Sequence, residues 1–154
     1  MMQFVRFISM VVALVVVCSA AAFGQGGTHV ESALNKEIGP IRSSAAYAEA
    51  LLRRTELQSD LEAMLPDYTE QNPKVLEARF EIGVLTKDMD KMFGVRPSDV
   101  ARLTQALGKM IVRRAALAAE LYRTERKYGK DHPEVQRAKR RVEAFDAAIK
   151  EILG

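Results

Sequence analysis

The stretch Tyr128–Val135, YGKDHPEV, gathers a glycine, an aspartate and one of the chain's two histidines into eight residues and has the look of an active-site loop. Sixty residues earlier, Tyr68–Val75 reads YTEQNPKV: tyrosine, proline and valine keep their places, while glycine, aspartate and histidine do not. A catalytic imidazole should not become asparagine in a sister copy whose tyrosine, proline and valine persist. What both copies share is the chemistry of a turn. Asn72 in one copy, and Asp131 or His132 in the other, can cap a helix, and Pro73 and Pro133 stand at its first position, where a missing N–H costs no hydrogen bond. The motif therefore predicts where one long helix folds back onto another.

The likeness extends beyond the turn. Sliding Leu52–Gly94 onto Val112–Gly154 without a gap aligns 43 positions and finds identity at Arg53, Arg54, Leu57, Leu61, Tyr68, Pro73, Val75, Ala78 and Gly94. Mismatches conserve character: Ile82 faces Val142, Leu85 faces Phe145, Met89 faces Ile149 and Met92 faces Ile152. Within each copy the apolar residues step by three and four, as in Val75, Ala78, Ile82, Leu85, Met89, Met92 and in Val135, Ala138, Val142, Phe145, Ile149, Ile152. Such a row is the seam of a pair of zipped helices. The fold class read from the sequence is all-α, two tandem antiparallel helical hairpins in a coiled-coil or four-helix arrangement.

Punctuation sets the boundaries. Pro66 stops the first helix, Gly129 permits the turn after the third, and in GVRPSDV (Gly94–Val100) Gly94 ends the second helix while Ser98 caps the third, with Asp99 near its positive end. Helices are expected at about 41–65, 73–93, 98–127 and 133–153, with hairpin one over 41–94 and hairpin two over 95–154. Residues 25–40 carry no sustained row and read as a linker or flexible arm.

Residues 1–24 are different in kind. Arg6 precedes an apolar run from Met10 to Val17, and the small residues Ser19 to Ala22 follow. This predicts a signal peptide and an exported, periplasmic or extracellular protein; the alternative is an anchor in the inner membrane through residues 7–23, and a further one is lipidation at Cys18. Membrane contact is expected only if this segment is retained. Cys18 is the sole cysteine, so a cleaved chain is without disulfides and relies on packing.

The remaining composition excludes more than it names. With 23 Lys and Arg against 20 Asp and Glu, and no block of five like charges, the surface is mixed and does not read as a nucleic-acid stripe. His29 and His132 stand apart, without a second histidine or a thiol at ligand spacing, and no nucleophile elbow or glycine-rich loop occurs. No catalytic residue, cofactor or metal site is expected, and the protein reads as a non-enzyme.

Two features invite function. The middle helices carry a second apolar stripe, from which Leu76, Phe80, Val84, Ile111, Ala115 and Tyr122 form a candidate interaction face. It serves either to pack the two middle helices together or to meet a protein partner or a second copy. Arg54 and Arg114 occupy seam positions where leucine is expected, and each needs its head in water or on a carboxylate such as Asp88 or Asp146.

The segments YGKDHPEVQRAKRRVEAF and, less closely, YTEQNPKVLEARFEI resemble the periplasmic coiled-coil hairpin of bacterial polysaccharide chain-length determinant proteins. From the residues alone the expectation is an exported helical scaffold or protein-interaction module of the bacterial cell envelope. The resemblance implies the alternative, a membrane-anchored accessory factor in polysaccharide export or assembly.

Overall fold

A computed structural model describes residues 38–153, all of whose regular structure is helical. The expected signal peptide and most of the arm lie outside the described residues. Four long helices follow one another: α1 (Ala45–Met64), α2 (Pro73–Met92), α3 (Gln105–Tyr128) and α4 (Pro133–Leu153), with a 3-10 turn, η1, at Pro97–Arg102. At a rise of about 1.5 Å per residue each long helix spans roughly 30–36 Å.

Each helix begins where the chain offers a cap. Ser44 accepts from the Tyr47 N–H at 3.3 Å, Asn72 from the Lys74 N–H at 2.9 Å, Thr104 from the Leu107 N–H at 3.3 Å, and His132 Nδ1 from the Glu134 N–H at 3.2 Å. Gly129, at φ 83° and ψ 162°, adopts a backbone conformation closed to residues with a Cβ, and its N–H closes α3 onto Glu125 O at 2.9 Å.

Two boundaries differ from expectation. The third helix does not begin at Ser98. Residues 97–102 wind as η1, Leu103 leaves the helical region at φ −75°, ψ 57°, and Thr104 is the cap. The break lets the Leu103 carbonyl accept from the Ala46 N–H at 3.2 Å while the Leu103 side chain enters the core. At the other boundary, α1 starts at Ala45, after a helical stretch over 38–42 that lies partly in the expected arm; Ile41, 3% exposed, is part of the core.

Successive helices run antiparallel, as their cross-links show. Arg53 Nε donates to Glu81 across α1 and α2 at 3.0 Å. Arg123–Glu77 (3.4 Å), the stacked Phe80–Tyr122 rings and Arg114–Asp88 share one register across α2 and α3. Arg141–Glu120 (2.8 Å) and Arg114–Asp146 (3.5 Å) centre on residues 130–131 across α3 and α4. Both turns, 65–72 and 129–132, consequently lie at one end of the bundle.

The helix α3 is the hub: α1, α2 and α4 all pack on it, and α1 and α2 also pack on each other. The main core joins Leu57, Leu85, Met89, Met92, Leu107, Ile111 and Ala115 with the alanines Ala46 and Ala50. Close approach of α1 and α3 depends on Gly108, where an added methyl group would stand 2.8 Å from Ala46 Cα and Glu49 Cβ. Buried carboxylates pin α2 from both sides, Glu81 to Arg53 and Asp88 to Arg114. Burial works against the Arg53 charge, but its bonds to Glu81 and Glu56 outweigh that and hold its pKa above the ordinary value.

Candidate interaction surface

Six residues of the second stripe were expected to form one face, and the fold divides them. Ile111 (3% exposed) and Ala115 (0%) are enclosed by this chain's own helices, so as members of a free face they are corrected to core. The reason is the hub position of α3: three helices pack on it and cover the side that carries Ile111 and Ala115, while Lys109 and Arg113 face solvent. Leu76, Val84 and Tyr122 are half-buried, and Phe80 is exposed. The Phe80 and Tyr122 rings stack in parallel, 4.5 Å between centroids and 6° between planes, closing α2 on α3 toward the turn end.

Past that stack the helices leave a cleft of about 360 Å³ between the first turns of α2 and the last turns of α3. Its apolar part is Pro73, Leu76 and the Tyr122 ring, and its rim is Arg123, Arg126 and Lys127. The geometry follows from local rules. Asn72 and Pro73 start α2 beside the end of α3, and cations in the last turn of α3 sit favourably at the negative end of that helix.

The three cations are not equivalent. Arg123 reaches Glu77 at 3.4 Å. Arg126 donates to the Tyr122 hydroxyl at 2.9 Å and lies over that ring, 5.6 Å from its centroid; Lys127 lies 4.7 Å from the centroid of Tyr128. Among the described residues no carboxylate stands within ion-pair distance of Arg126 or Lys127. Charges resting on aromatic faces retain most of their attraction for an external anion. The chemistry on offer is recognition of an acidic group carried beside an apolar one.

Leu76 and Tyr122 were found from the sequence, but the basic rim was not. Its signal was present in YRTERKY, Tyr122–Tyr128, where Arg123, Arg126 and Lys127 are spaced to share one side of a helix.

The other singled-out residues have structural roles. His132, 4.4 Å from the Tyr128 ring and stacked on it, caps α4. Arg114 is shared between Asp88 and Asp146. Arg54 differs: its Nε is buried and has no hydrogen-bond partner among the described residues. Among the described residues no three His, Cys, Asp or Glu side chains gather where a metal ion could be held, and no helix is long and apolar enough to cross a membrane. No family model matches the chain, and no curated protein or solved structure does either.

Proposed function

We propose that the protein is an exported helical scaffold of the bacterial cell envelope, acting without catalysis by binding a protein surface at the turn end of the bundle. Export rests on the leader-like residues 1–24. The observation that carries the binding role is the turn-end cleft, in which an apolar and aromatic floor is edged by Arg126 and Lys127, two cations without a carboxylate partner among the described residues. Toward the same end of the bundle stand Leu65, Tyr68, Phe80 and Tyr128, large apolar side chains at least 36% exposed. Aromatic and arginine side chains in one partly enclosed patch are the usual anchors of protein interfaces.

A photo-crosslinking residue placed at Leu76 in the bacterial cell tests this. Crosslinks to protein in the envelope fraction are expected from Leu76 and not from the exposed Lys139 on α4, together with a mature N-terminus near residue 25. A cytoplasmic protein with its first residues intact, or equal crosslinking from both positions, would contradict the reading.

A further inference from the structure

We infer that the occupant of the turn-end cleft is a second copy of this chain, docked end to end about a two-fold axis; the inference rests on the reading of this end as a binding surface. The counterpart is the corner where α1 ends. Glu62 and Leu65 lie three residues apart on one side of the last turns, and Asp67 and Tyr68 follow in the loop. Leu65 and Tyr68 are each 40% exposed, and among the described residues neither Glu62 nor Asp67 is ion-paired. Glu70 is already engaged by Arg79 at 2.9 Å and contributes nothing further.

One end of the molecule thus carries two patches of opposite net sign, each with apolar groups at its centre: a corner with Leu65 and Tyr68, where Glu62 and Asp67 outnumber the one cation Lys74 lying 5.9 Å from the Tyr68 ring centroid, and a basic cleft with Leu76 and Tyr122. Because they are neighbours on the same end, a two-fold axis brings each copy's corner to the other's cleft, so that a single arrangement satisfies both contacts twice. An anionic membrane would attract the cleft but repel Glu62 and Asp67 at the same level, which favours a protein copy over a lipid surface. Exposed charges of this kind give weak, salt-screened contacts, so the dimer is expected to form at high concentration and to loosen as salt is raised.

Sedimentation of the purified protein over a concentration series tests the pairing through two variants. Arg126→Glu with Lys127→Glu makes cleft and corner both acidic; Glu62→Lys with Asp67→Lys makes both basic. All four positions are exposed, and melting followed by circular dichroism checks that each variant folds. If the first variant unfolds, Gln at both positions replaces Glu and is expected to weaken dimerisation, with only partial recovery in the mixture because one of the two contacts then pairs opposite charges. Each variant alone should dimerise at least about tenfold more weakly than the wild type, while their equimolar mixture regains wild-type affinity, since the mixed dimer pairs opposite charges at both contacts. A monomeric wild type, variants that dimerise undiminished, or folded charge-swap variants whose mixture does not recover would overturn the inference, as would a monomer that instead binds vesicles of anionic lipid. If the wild type is monomeric yet Leu76 still crosslinks to another envelope protein, only the second copy is lost; if Leu76 crosslinks to nothing, the binding surface itself is lost.

Discussion

The two copies of the sixty-residue repeat share a seam but not a surrounding. In copy one, α2 lies against both α1 and α3, and Val75, Ala78, Leu85, Met89 and Met92 along its seam are all buried. In copy two, α4 packs chiefly on α3, and of the matching residues only Val135 and Ala138 are buried. The seam arginines diverge in the same way. Arg114 is held by Asp88 and Asp146, whereas Arg54 has a buried Nε without a partner among the described residues. The position sixty residues before Asp146 holds Thr86, whose hydroxyl donates to the Ile82 carbonyl of its own helix. A repeated pattern therefore specifies a hairpin, and the number of neighbours each helix acquires decides how much of it becomes core.

The largest expected effect separates the two rows at matched positions. Leu85→Ala removes a side chain with no exposure and should cost about 3 kcal/mol in urea unfolding, while Phe145→Ala, at the matching half-buried position, should cost roughly half as much despite the larger residue. Equal losses would mean that α4 is as enclosed as α2.

The arginines sharpen the contrast by sign. Arg114→Met leaves the buried Asp88 carboxylate with only the exposed Lys91, at 3.3 Å, as a partner and should destabilise by about 2 kcal/mol. Arg54→Met removes a guanidinium whose Nε is unsatisfied, and should be neutral or stabilising by about 1 kcal/mol. A comparable loss from both, read from urea midpoints, would show that Arg54 has a partner in solution.

The smallest effect concerns the turns, where the copies agree. His132→Asn places the copy-one cap in copy two and should change stability by less than about 0.5 kcal/mol, whereas His132→Ala should cost about 1 kcal/mol. An Asn variant that melts as low as the Ala variant would mean that the imidazole is needed for more than capping, its stacking on Tyr128 being the nearest candidate.

What was legible in the residues was whatever one helix or one turn decides alone. Pro66, Asn72–Pro73, Gly129 and His132–Pro133 punctuate the chain where they were expected to, because caps and prolines act through their own backbone. The start of α3 was not legible. Ser98 beside Pro97 and Asp99 is the stronger local signal, yet Thr104 wins because a break at Leu103 delivers a side chain to the core and a carbonyl to Ala46. The choice of α3 as hub was hidden for a similar reason, since periodicity reports the faces of one helix and not which neighbour covers each. The cleft shares that limit. Its floor came from an apolar stripe visible in the sequence, but its rim became a feature only when Pro73 and Leu76 of α2 were brought alongside Arg126 and Lys127.

Hydrogen exchange of the purified protein at low and high concentration tests most directly whether the turn end is where two copies of the molecule meet. Added protection is expected in peptides covering 62–76 and 122–128 as concentration rises, with the core of α3 at 107–117 unchanged. Protection confined to the outer side of α1, where Leu51 and Leu52 are exposed, or no dependence on concentration at all, would contradict it.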